Sequence, residues 1–215
     1  MRCIEVLQLA HTVLSFVCVG YIVVCFILFW HKTYKSPPSE LTTTPITFSR
    51  MNPAIVKTGQ LLFSIAPGST NHYRRRTIDY DIDQLKQEGI TTVVSCLTQN
   101  DIRRLHMENY EEALLENNIQ LIKCPIVDFG VPSDVRTYDR TASTVAEILS
   151  HDGTVLIHCN SGRGRTGLFA AAVLSKLWPF KGGREIIKDI KQDLKGAFDT
   201  ILQRLYFRCY INDFY

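Results

Sequence analysis

The chain has no C-x-x-C pair and no N-x-S/T sequon, and its net charge is only +3. Its seven cysteines (Cys3, Cys18, Cys25, Cys96, Cys124, Cys159 and Cys209) are scattered and odd in number. That spacing excludes a zinc ribbon and argues against a disulfide framework, leaving reduced thiols as the default reading. The balance of 24 Lys plus Arg against 21 Asp plus Glu lacks the basic footprint of a nucleic-acid binder, so no such partner is expected. Internal repeats are also missing. What is present suits one folded domain with an appendage: 215 residues, 46% hydrophobic and 21% charged.

Charge is missing locally as well. Leu9 to Trp30, LAHTVLSFVCVGYIVVCFILFW, contains no Asp, Glu, Lys or Arg. As a helix it would span roughly 33 Å, enough to cross a bilayer core. A cleaved signal peptide is the competing reading, but its apolar region runs about 7–15 residues and ends in small side chains. This one is longer and ends FILFWHKTYK, bulky and then basic. A transmembrane helix over 9–30 is therefore expected, after a short tail over 1–8. Lys32 and Lys35 on one flank, against an Arg2 offset by Glu5 on the other, predict a single-pass protein with its C-terminal bulk in the cytoplasm.

Residues 31–56, rich in Pro, Ser and Thr, read as a flexible tether. A domain over 57–215 follows, in which strands and helices alternate. GQLLFSIAPG, ITTVVSCLT, IQLIKCPIVD and TVLIHC read as strands. TIDYDIDQLKQEG, NYEEALLENN, VRTYDRTASTVAEILSHDG and three segments after Arg165 read as helices. That alternation predicts an α/β fold, a mainly parallel sheet flanked by helices, with ligands at the carboxyl ends of the strands. HYRRRT, with Arg74, Arg75 and Arg76, reads either as a solvated basic turn or as a dock for acidic substrates or headgroups.

One such strand end carries His158 to Gly167, HCNSGRGRTG. Gly162, Gly164 and Gly167 permit a tight turn and close approach of a ligand. Together with Asn160, Ser161 and Arg163, the turn directs backbone amides into an anion-binding nest at the start of a helix. Arg165 adds a planar fork for two phosphate oxygens. Such surroundings also turn a thiol into a nucleophilic thiolate, so Cys159 is the candidate nucleophile for a phosphate ester. Thr166 is a candidate donor to the sulfur, and His158 a residue that fixes the loop. In CPIVDFGVPSD, Asp128 lies at a strand's carboxyl end and is the candidate general acid, with Asp134 an N-cap. Cys96 and Cys124 are candidate resolving thiols for an oxidised Cys159.

HCNSGRGRTG and PIVDFGVP resemble the His-Cys-x5-Arg-Ser/Thr signature and the acid loop of the cysteine-dependent protein tyrosine and dual-specificity phosphatases. The layout is closest to the cyclin-dependent kinase-associated phosphatase group. The resemblance covers Lys57 to the C-terminus. It implies a phosphocysteine mechanism with no metal or cofactor, Asp128 serving as acid and then base. It also marks a departure: where the family often has a Gln that positions water, this chain has Asp199, while Gln203 matches a second, supporting Gln. A phosphorylated protein is the first expected substrate. Arg163 and the apolar segment keep a phospholipid substrate open, and Asp199 keeps open a module that binds phosphorylated partners without turnover.

Overall fold

The structure, a computed structural model, describes residues 40–71 and 73–214. The expected transmembrane helix over 9–30, the tail before it and the first part of the tether lie outside the described residues. Among the described residues no helix is long and apolar enough to cross a membrane.

The elements in chain order are strands β1 (Ser49–Arg50), β2 (Gln60–Ser64), β3 (Thr70–Asn71) and β4 (Arg74–Arg75), then helix α1 (Ile78–Gln87). β5 (Thr92–Ser95), α2 (Gln99–Arg104), α3 (Tyr110–Glu116) and β6 (Gln120–Lys123) follow. The chain closes with α4 (Val135–Ser150), β7 (Thr154–His158), α5 (Gly164–Leu177), α6 (Gly183–Asp193) and α7 (Ile201–Phe214). The main sheet has the order β1-β2-β7-β5-β6, parallel throughout except for β1.

Alternation along the strands sorts the core into two layers. Leu61, Phe63, Val94, Val155 and Ile157 face the layer of α4, α5, α6 and α7. Leu62, Val93 and Leu156 face the layer of α1 and α3. A sheet covered on both sides explains why these strands are continuously apolar. The run Leu168 to Leu174 in α5 is buried all round, so this helix lies inside the domain and carries the loop before it on a rigid base.

The tether reading needs correcting over its second half. Ile46, Met51 and Val56 are buried, and β1 pairs with β2. Arg76 is the physical reason. It is buried against Asp81, with Nε donating to Oδ2 at 2.8 Å and Nη2 to Oδ1 at 2.5 Å. Its remaining nitrogen, Nη1, donates to the Thr44 carbonyl at 2.9 Å. A buried guanidinium must find acceptors for all its donors, and the segment before β1 supplies one. Arg76 therefore is no docking residue.

A second difference is α2, which the sequence reading passed over. It starts with a capping box: Thr98 Oγ1 accepts from the Asp101 amide at 3.2 Å, and Asp101 Oδ2 accepts from the Thr98 amide at 3.0 Å. Asp134 caps α4 as expected, its Oδ1 accepting from the Arg136 and Thr137 amides at 3.0 and 3.2 Å.

Candidate active site

Ser64 of β2 and Ser95 of β5 stand level with His158 of β7, so three strands end on one line. Cys159, the next residue, is buried, and residues 160–163 wind from it into α5. The winding depends on Gly162, whose φ is +66° and whose missing Cβ would lie 2.3 Å from the Ser64 carbonyl oxygen. A side chain there would force the loop off the sheet end. The Gly167 amide donates to the Arg163 carbonyl at 2.7 Å, so the helical ladder begins directly behind the loop.

Arg165 is 2% exposed and thoroughly fixed. Its Nη1 donates to Asp101 Oδ2 at 2.7 Å and to the Ile126 carbonyl at 3.1 Å, and its Nη2 meets Asp128 Oδ1 at 3.0 Å. Burial works against the guanidinium's charge, but Cys159, Asp128 and Asp101 outweigh it and push Arg165 above its ordinary value. Burial likewise opposes charge on Asp101. The Thr98 amide and Arg165 outweigh it and hold this carboxyl below the usual range. Arg104 joins the cluster, 2.6 Å from Asp101 and 3.7 Å from Asp128.

The structure thus brings Cys159, Arg165 and Asp128 to one edge. Asp128 is the exposed member, on a loop whose Phe129 has φ +59° and lies open to solvent. Thr166 Oγ1 is fully buried and makes no hydrogen bond, so no bond to the sulfur supports its expected role.

A ring of supports surrounds the loop. His158 Nε2 pairs with the Tyr110 hydroxyl at 2.8 Å. Burial, reinforced by the nearby charge of Arg165, lowers His158 to about 3, which makes it a neutral brace at physiological pH. Arg74 turns inward: Nη2 donates to the Asn160 carbonyl at 2.7 Å and to Asn160 Oδ1 at 2.9 Å, and Nε to Ser69 Oγ at 2.8 Å. Burial brings Arg74 down to about 10, with Cys159 acting the other way. Gln203 is buried in α7 and its Nε2 donates to the Gly130 carbonyl at 3.1 Å, holding the acid loop from behind. Asp199 Oδ2 accepts from the Gly164 amide at 3.0 Å.

Asp101, Arg104 and Tyr110 are site residues the sequence reading missed, and Arg74 was read only as a basic turn or dock. The Thr98-x-x-Asp101 capping pattern marks Asp101 as a helix-start residue; nothing local marks the contacts of the others. Cys96 and Cys124 sit one residue beyond β5 and β6, beside Cys159 in the row of strand ends. Both are free and buried. Burial pushes the Cys96 thiol far up and Cys124 to about 12, so both stay protonated and are poor attackers of an oxidised sulfur.

A strand-end thiol, a glycine loop feeding a buried helix, and a fixed guanidinium facing a carboxylate are the fold and site of a cysteine-dependent phosphatase. A family model described as a polymorphic toxin system DSP-PTPase phosphatase matches residues 68–177. Cyclin-dependent kinase inhibitor 3 of Rattus norvegicus is 30% identical over 172 residues, 79% of this chain and 80% of the relative. The Homo sapiens protein of that name is 29% identical over the same shares. A crystal structure of kinase-associated phosphatase, its catalytic-site cysteine replaced by serine, has a TM-score of 0.74 at 26% identity. It is covered over 97% of its length by 80% of this chain. PTPMT1 in complex with PI(5)P shares the fold, with a TM-score of 0.59 at 16% identity over 77% of this chain and 95% of that one. The chain belongs to the cysteine-dependent dual-specificity phosphatase family, near its kinase-associated group.

Proposed function

We propose that this phosphatase hydrolyses phosphate monoesters on proteins through a phosphocysteine, tethered to a membrane by residues 9–30 with the catalytic domain in the cytoplasm. The observation that carries the chemistry is Arg165, buried and held by Asp101 and Ile126 beside both the Cys159 loop and Asp128. A guanidinium fixed in this way loses little freedom when it takes two phosphate oxygens.

In the first step the Cys159 sulfur attacks phosphorus. An S–P bond forms, the P–O bond to the substrate breaks, and Asp128 gives its proton to the leaving oxygen. In the second step water attacks phosphorus, the S–P bond breaks, and the Asp128 carboxylate takes the water's proton. Amides of residues 160–163 and Arg165 hold the phosphoryl oxygens throughout, and the Gly164 amide joins them when it leaves Asp199. Asp128 is suited to this by exposure: it can exchange protons with solvent between steps, whereas Asp101 cannot.

Protein substrates are favoured by the kinase-related curated relatives. A phospholipid reading has behind it the exposed Arg163 at the loop and the apolar stretch over 9–30. Cys159→Ser should abolish p-nitrophenyl phosphate turnover while keeping tungstate binding; undiminished turnover would eliminate the mechanism. Asp128→Ala should cost about 10²–10⁴-fold with phosphopeptides. A phosphocysteine that forms in a burst and then stalls would favour a phosphate-binding module instead. Faster turnover of phosphoinositides than of phosphopeptides would favour the lipid reading. For the tether, the full chain should stay with membranes through an alkaline carbonate wash and residues 31–215 should not; release of both would sink the anchor.

A further inference from the structure

Asp199 touches the start of α5 in a way that nothing in the two-step chemistry requires. The contact is built. A Cβ on Gly164 would lie 2.3 Å from Asp199 Oδ2, and one on Gly167 would lie 2.6 Å from the Ala197 Cβ. Segment 196–199 therefore presses on the first turn of α5 at two glycines. Gly196 and Phe198 both take positive φ, +83° and +61°, and the Phe198 side chain is buried, so the turn that delivers Asp199 is anchored. The residue itself is exposed, and among the described residues no Lys or Arg forms an ion pair with it.

The amides opening α5 are the donors this site offers an oxyanion, because a helix start leaves them without internal partners. Asp199 already takes one of them, and it sets a negative charge beside the place a phosphate dianion must occupy. Like charges a few ångströms apart at a protein surface repel measurably. We propose that Asp199 is a specificity-determining residue: it competes with the substrate's phosphate for the start of α5, and it selects phosphopeptides with a basic side chain next to the phosphorylated residue. A bare dianion meets only the repulsion. A phosphopeptide with a neighbouring Lys or Arg brings the cation that Asp199 lacks. For its substrates the proposal rests on the phosphatase reading, but its first test does not.

The full chain and its Asp199→Asn and Asp199→Ser variants would be titrated with tungstate, and assayed with p-nitrophenyl phosphate and with phosphopeptides flanked by Lys or by Glu. Both variants should bind tungstate about tenfold more tightly, a difference of about 1.4 kcal/mol. They should lower KM for p-nitrophenyl phosphate similarly, and lose the wild-type preference for the Lys-flanked peptide. Unchanged or weaker tungstate binding would overturn the competition, even if melting temperature falls from loss of a helix cap. A wild-type enzyme indifferent to the flanking charge would overturn the selection. Absence of any turnover would sink the phosphatase reading, yet the tungstate titration would still decide the role of Asp199.

Discussion

Two buried arginine–aspartate pairs, Arg76 with Asp81 and Arg165 with Asp101, behave differently. Arg76 and Asp81 are sealed, with side chains 2% and 0% exposed. Asp81 also accepts from the Gly68 amide at 2.7 Å, and the Thr44 carbonyl accepts from Arg76 Nη1. Arg165 and Asp101 are nearly as buried, at 2% and 6%, but the second acid on Arg165 is Asp128, 38% exposed and on an open loop. Burial of the two pairs is nearly the same. What separates a strut from a site is a partner that can be exchanged for substrate.

Substitutions can sharpen or break that contrast. Arg165→Lys keeps the charge and loses the fork, so kcat/KM should fall by about 10²–10³ with near-native melting. A small loss would mean that the planar fork is unused. Arg76→Met should leave Asp81 buried and unpaired and destabilise the domain by about 3–5 kcal/mol, with kcat of the folded fraction little changed. Collapse of kcat with intact stability would erase the distinction. His158 gives a smaller, pH-dependent effect. Its folded value of about 3 lies below the ordinary 6.5, so the unfolded chain binds the extra proton. Its contribution is present above pH 6.5 and is lost as pH falls toward 3, at up to about 1.4 kcal/mol per unit. Denaturant titrations of His158→Asn between pH 7 and 5 should show a correspondingly flatter slope than wild type. Arg104 forms an exposed pair with Asp128, and Arg104→Ala should change turnover only a few-fold, in keeping with pairs worth about 0–1 kcal/mol. A loss as large as that of Arg165→Lys would make Arg104 part of the anion grip.

The parallel sheet was legible because β-branched runs such as Thr92–Ser95 and Thr154–His158 carry their own signal. So was the loop, since glycines at those offsets between a strand and a helix leave few alternatives. Asp101 was not, because its partner Arg165 lies 64 residues away and α2 is too short for an apolar stripe. Arg74 and Arg76 read as surface charge because nothing local reveals that Asn160 and Asp81 await them. β1, β3 and β4, two residues each, have no period to detect. Segment 44–56 is polar enough to read as loose chain; its buried Ile46, Met51 and Val56, the pairing of β1 with β2 and the Thr44 carbonyl on Arg76 make it part of the domain.

That docked segment sets a leash length. The Thr42 amide is already fastened to the Arg75 carbonyl at 2.7 Å, so under the proposed anchoring at most residues 31–41 separate the apolar stretch from the domain. Fully extended, eleven residues reach at most about 36–40 Å. With residues 9–30 in a bilayer, the catalytic loop would patrol a shell only one domain deep along the membrane face, and phosphoproteins free in the cytosol would have to come to it.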